Sequence, residues 1–320
     1  MPDALLYMLT GEISCEYTIA STTGLLDPYT RNWNRELLDK LGLPVSIFPQ
    51  IVMPGTRIKP LKEEICRELQ IPGISAVKVG SHDTASAVAA VPVSEKAGNW
   101  AYLSSGTWAL LGMELNNPDT SELAFQNKYT NEGGVEGKIR FLINIIGTWL
   151  LQETKRVWEE QGDPVTFAQM EEMAATVGPS PFRIDPNANE FITPGDMPEK
   201  IRTYCREHGQ GEIPSKASLV RCIYDSLAEC FGENIKRLAD MRNVPLNALY
   251  ILGGATRDRL LMQLTADAVG FPVAAGPIEA TTIGNLMVQF IACGEVKNLA
   301  EARKIVQETY PIQWYLPSEK

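Results

Sequence analysis

The order of apolar and polar positions divides this chain into short apolar runs and longer runs with helical spacing. Residues 4–9 are apolar and end in a Thr10-Gly11-Glu12 turn. Residues 33–41 place apolar side chains on one face and stop at Gly42, the pattern of a short amphipathic helix. Pro44, Pro49, Pro54 and Pro60 then punctuate an irregular connector. From Ile74 the rhythm changes. Residues 75–79 predict a short strand, and 83–90 a helix of small residues. Residues 100–103 and 108–113 predict two strands joined by the turn Ser104-Ser105-Gly106-Thr107. A strand is expected at 139–142, with helix from 141 to 160, and a long helix at 219–238 whose apolar residues recur every three or four positions. Strands at 248–252 and 273–275 and a helix at 281–293 complete the series. Strands and helices alternate, so the fold class expected is α/β.

Composition narrows the function classes. The 320 residues are 44% hydrophobic and 21% charged, enough to bury a substantial core. The net charge of -10 argues against nonspecific binding to nucleic acid or to anionic membranes, which need a positive field. Six cysteines stand without a Cys-x-x-Cys pair, and there are two histidines, so a zinc site is not expected. Most simply, the cysteines are small buried side chains in a reducing cytoplasm. Their spacing leaves a Cys205–Cys222 disulfide open. The first residues carry neither a basic leader nor an apolar run long enough for a membrane, and a cytoplasmic protein is expected.

Three places carry candidate chemistry. Asp83 follows a strand and opens a helix, where free N–H groups and the positive helix end stabilise a carboxylate. By itself it is more simply an ordinary capping aspartate. Its neighbours are small, however, and His82 and Thr84 add polar groups that capping does not need. The turn at 104–107 joins hydroxyls to a glycine that lets backbone approach a phosphate, though many hairpins use such turns. Leu252-Gly253-Gly254 leaves a strand for a helix, and it suits either a flat ligand or close helix packing. No Rossmann or P-loop glycine pattern occurs. Asn144 and Gln152 lie eight residues apart, about two turns on one face of the expected helix, where they line a polar cleft or a solvated stripe. Asn131-Glu132-Gly133-Gly134 reads as a turn.

Taken in order, these segments resemble the FGGY carbohydrate kinases, and within them the members acting on L-rhamnulose. The resemblance rests on Ser81-His82-Asp83-Thr84-Ala85-Ser86-Ala87, Tyr102 through Trp108, Asn131 through Gly134, Asn144 through Gln152, Leu252-Gly253-Gly254, and Gly276 through Asn285. It implies two actin-like (ribonuclease H-like) domains with a cleft for ATP and a sugar. It implies Asp83 as the base that takes the proton from the sugar's 1-hydroxyl, with His82, Thr84 and Asn144 beside the substrate. Gly106, Thr107, Gln152, Gly253 and Gly254 would meet the nucleotide, and Mg²⁺ would neutralise charge on the phosphates. Ala255 stands where the family has a third glycine. Other ketoses, fuculose or xylulose, remain open as substrates, as does a non-catalytic nucleotide-binding remnant.

One expected motif is missing. The family begins with a hairpin carrying a first phosphate loop, and residues 1–76 contain no such pattern. The expectation is therefore the later part of an N-terminal domain at 1–76 and a complete C-terminal domain at 77–320. Activity would be impaired, and apolar faces and strand edges in the first segment would be open. The partners expected are the sugar and ATP, with a homo-oligomer or a completing N-terminal fragment also open.

Overall fold

The computed structural model describes residues 1–94 and 97–319. Contacts divide the chain into two compact units. The first comprises Met1–Glu95, Met113–Leu142 and Glu279–Tyr310, the second Lys96–Gly112, Ile143–Ile278 and Pro311–Lys320.

In the first unit, the apolar run near the start is part of the helix Pro2–Thr10, closed by Gly11 in the left-handed region. Leu5, Met8 and Leu9 share one face of it and are exposed. A parallel pair joins Cys15–Glu16 to Ile51–Val52, and an antiparallel pair joins Thr56–Pro60 to Ser75–Lys78. Lys78 is buried and paired with Asp3 at 2.5 Å, also donating to the Ser14 carbonyl. The amphipathic helix is Arg35–Lys40. It starts two residues later than its periodicity implies because Asn34 caps it, accepting the Leu37 N–H. The helix Asp83–Ala89 is buried along most of its length and packs on Ala280–Cys293. Gly284 makes that approach possible, since a Cβ there would fall on the Ser86 carbonyl oxygen. Residues 130–133 form a strand paired antiparallel with 139–142, not the turn their glycines imply. Gly133 is needed for packing instead: a Cβ would meet the Tyr17 ring at 2.6 Å.

In the second unit, Trp100–Ser105 forms a hairpin with the strand that begins at Trp108. Ala248–Leu252 lies parallel to Trp100–Ser105, with Ala248 opposite Trp100 and Leu252 opposite Ser104. Val273–Ala275 extends this sheet in parallel, and Gln313–Tyr315 in antiparallel. All five residues of Ala248–Leu252 are buried, as expected for a parallel strand covered on both faces. The helix Lys216–Arg242, about 40 Å long, packs on Arg259–Val269 and Phe167–Ala175. Gly232 admits the neighbouring helix, since a Cβ there would come 3.0 Å from the Ala268 carbonyl.

One segment differs from its pattern in a way that matters for the site. Ile139–Ile146 is a single strand, and the helix starts only at Trp149. Four isoleucines favour extended backbone here. Gly147 ends the strand, and a Cβ there would fall 2.5 Å from the Gly106 carbonyl oxygen, so only glycine lets the chain pass so close. Asn144 is therefore a strand residue and shares no helix face with Gln152. The six cysteines are free thiols. Cys205, Cys222 and Cys230 are buried, Cys15 and Cys66 half-buried and Cys293 exposed, so burial holds for half of them. Cys205 and Cys222 hydrogen-bond to each other without a disulfide. Among the described residues, no helix is long and apolar enough to cross a membrane.

Candidate active site

Asp83 is the first residue of its helix, and His82 takes the cap position in extended backbone. The Asp83 side chain is 78% exposed. Its Oδ1 accepts the Thr84 N–H at 2.6 Å and the Thr84 hydroxyl at 3.2 Å. No hydrogen bond to its other oxygen is seen among the described residues. Thr281, at the start of the neighbouring helix, donates to the Asp83 carbonyl at 3.3 Å.

The loop before Asp83 is held by a carboxylate that the sequence pattern does not disclose. Glu16 is fully buried. It accepts the N–H groups of Thr18, Ile19 and Ser81 and the Thr18 hydroxyl, while the Thr18 oxygen accepts the His82 N–H. Burial pushes the Glu16 carboxyl above its ordinary value, and these bonds oppose the shift. The His82 ring lies among charges: Nδ1 is 3.3 Å from Asp83 Oδ1, and Nε2 is 4.0 Å from Glu132 Oε2. Glu132 pairs in turn with Arg140, which is fully buried, at 2.9 Å. Burial first, and then Arg140, hold the imidazole below its ordinary pKa, so it is neutral near pH 7.

In the second unit the structure gathers five of the residues singled out above. Parallel pairing brings the ends of Ala248–Leu252 and Trp100–Ser105 side by side. Gly106 and Thr107 are exposed at the hairpin tip, with Gly253 and Gly254 next to it. Gly253 has φ 91°, and a Cβ there would meet the Ser105 carbonyl at 2.9 Å, so glycine is required. Thr107 Oγ1 donates to Gln152 Oε1 at 3.0 Å, Gln152 Nε2 to Thr148 Oγ1 at 3.0 Å, and Thr148 Oγ1 to the Gly106 carbonyl at 2.8 Å. This ladder fixes the tip against the first turn of Trp149–Glu160. The rim at the carboxyl ends of parallel strands is where α/β sheets bind ligands. Asn144 is exposed on its strand and joins none of these bonds. Beside the tip, Thr107, Trp108, Ile146, Trp149 and Ile192 line a cavity of about 130 Å³.

Order along the chain, fold and site chemistry converge on a sugar kinase architecture, and comparison with known proteins agrees. The chain belongs to the FGGY family of carbohydrate kinases: the family's N-terminal domain matches residues 1–90 and its C-terminal domain residues 101–293. The rhamnulokinases of Bacteroides thetaiotaomicron and Bacillus subtilis are each 41% identical to it over the whole chain. The chain spans 64% and 65% of their respective lengths. Among solved structures, xylulose kinase from Lactobacillus acidophilus superimposes with a TM-score of 0.75 at 17% identity, over 99% of this chain and 62% of that one. Plasmodium falciparum glycerol kinase with ADP gives 0.73 at 14% identity, over 97% and 61%. The fold is the actin-like one of these kinases.

Proposed function

We propose that this chain carries the phosphoryl-transfer chemistry of a rhamnulokinase: ATP-dependent phosphorylation of L-rhamnulose at its 1-hydroxyl. The observation that carries this reading is the exposed Asp83 carboxylate at a helix start, with one oxygen fixed by Thr84 and the other open. Asp83 takes the hydroxyl proton as that oxygen attacks the γ-phosphorus. His82 and Thr84 adjoin the sugar, and Asn144 lies near it. The N–H groups and hydroxyl of Gly106 and Thr107 meet phosphate oxygens, while Gln152, Gly253 and Gly254 meet the nucleoside. Among the described residues no three His, Cys, Asp or Glu side chains gather as a metal cage. Mg²⁺ would arrive carried on ATP and take most of its ligands from phosphates and water. Bound there, the ion would supply positive charge beside the phosphates. The 41% identity to rhamnulokinases favours L-rhamnulose over fuculose or xylulose.

The chain is about a third shorter than those relatives, which supports weak turnover with nucleotide binding retained. A coupled assay with a panel of ketoses, run beside calorimetric titration with ATP, tests both halves. The expected result is ATP binding and a slow rate confined to L-rhamnulose. Asp83→Asn abolishes that rate, a loss of at least about 100-fold, while ATP affinity stays the same. An Asp83→Asn chain as active as the parent would remove the base assignment. Absence of ATP binding would favour an interaction fragment.

A further inference from the structure

The buried ion pair next to His82 has no part in the chemistry above, and its geometry gives it one. Arg140 donates through Nε to the Gly133 carbonyl at 2.8 Å, and its NH2 group lies 2.9 Å from Glu132 Oε2. Those two atoms touch without hydrogen-bond alignment. Arg140 NH1, Arg140 NH2, Glu132 Oε2 and His82 Nδ1 are all buried with hydrogen-bonding capacity to spare. A wholly buried guanidinium is costly unless its charge is used. Here it is spent on the carboxylate that faces the imidazole. Glu132 Oε2 thus has two suitors, Arg140 at 2.9 Å and His82 Nε2 at 4.0 Å, and the guanidinium holds it.

We propose that Glu132 and Arg140 are positioning residues whose ion pair keeps the His82 imidazole neutral, with its proton on Nδ1, so that His82 donates to Asp83. Arg140 draws Glu132 away from Nε2, which leaves that nitrogen a bare lone pair. The single proton then resides on Nδ1, 3.3 Å from Asp83 Oδ1. A small ring rotation aligns the bond, as catalytic hydrogen bonds commonly tighten once substrate is present. Asp83 Oδ1 is then held from two sides, by Thr84 and by His82, and Oδ2 keeps the lone pair that accepts the substrate proton. A charged imidazole would instead lower the basicity of Asp83. The other groups facing His82 are accounted for. Asp83 precedes Thr84 on the same helix, while Glu16 and Thr18 hold the Ser81 and His82 backbone. Arg31 hydrogen-bonds to Tyr17.

The inference rests on Asp83 being the base, and its test must be separable from that assignment. The chain has only two histidines. Nitrogen-15 spectra of the imidazoles can therefore follow His82, with the exposed His208 as internal reference. In the parent chain His82 should be neutral at pH 7 with the proton on Nδ1. Arg140→Met frees Glu132 to draw a proton to Nε2, and the protonation midpoint of His82 rises about tenfold in proton affinity. Glu132→Gln, nearly isosteric, leaves the Arg140 charge unopposed, and the midpoint falls. Arg140→Met lowers kcat on the order of tenfold, Glu132→Gln, which keeps the imidazole neutral, leaves it nearly unchanged, and both leave the KM for ATP and His208 unmoved. A purely structural pair would move neither midpoint. A proton found on Nε2 in the parent, or a midpoint unmoved by Glu132→Gln, overturns the proposal. Arg140→Met may be judged by folding first, and Glu132→Gln decides the matter if it does not fold. Should the chain turn no sugar over, the functional reading fails by itself, while the imidazole spectra still decide this one.

Discussion

Asp258 shows how one side chain can place a pH dependence in the scaffold without touching substrate. It caps the helix Arg259–Val269, accepting the Leu261 N–H at 2.9 Å, and it also accepts the Tyr224 hydroxyl. Burial raises its carboxyl to about 6, against the lowering effect of those bonds. A carboxyl raised in the fold above its unfolded value favours folding below the unfolded pKa, and that contribution is lost as pH rises toward 6. At pH 7 its ionised form therefore costs stability. Asp258→Asn keeps a capping oxygen and removes the charge. It should stabilise the chain by about 2 kcal/mol at pH 7 and by almost nothing at pH 4, read from urea unfolding of both chains. Parallel stability profiles across that range would refute the assignment.

At the level of elements, the Asp83 helix depends on its neighbour. Gly284 lies against the Ser86 carbonyl with no room for a methyl group. Gly284→Ala should push the two helices apart, cost about 2 kcal/mol or more, and lower turnover by displacing Asp83. Melting temperature and rate would be measured on the same preparation, and an unchanged melting temperature would contradict the tight packing. The elements also show what the sequence discloses. Ala248–Leu252 is legible because it is short, wholly apolar and followed by a Gly-Gly turn. The hairpin around Gly106 and the helix at Asp83 are legible from their turn residues. Ile139–Ile146 is not, because its apolar run continues toward a true helix, and only the isoleucines and Gly147 mark the break. Glu16, Glu132 and Arg140 escape notice for another reason. A buried charge is recognisable only by its partners, and Glu16 finds Ser81 65 residues away. The family motifs contain Asp83, Thr107 and Gln152; the buried groups that hold the Asp83 loop are set by packing between segments far apart in sequence.

Across the whole molecule, charge and apolar exposure oppose one another. A net charge of -10 keeps chains apart. Met1, Leu5, Met8, Leu9 and Ile13 are all exposed near one another in sequence, and Leu5, Met8 and Leu9 share a helix face. Apolar surface of this kind promotes association once repulsion is screened. Light scattering should show self-association that grows with salt. The double change Leu5→Lys, Met8→Glu, which leaves the net charge unaltered, should reduce it. Scattering that falls as salt rises would show that charge rather than apolar contact drives association.

The parallel pairing of Ala248–Leu252 with Trp100–Ser105 has a consequence in time as well as in space. The two strands meet across about 150 residues of intervening chain. The hairpin at Gly106 needs only its own neighbours and can form in microseconds, whereas its parallel partner must wait for a long loop to close. The hairpin tip is thus an early folding event, and the Gly253-Gly254 rim beside it a late one. A chain emerging from the ribosome carries the tip while about 150 further residues are made, before the rim exists to face it.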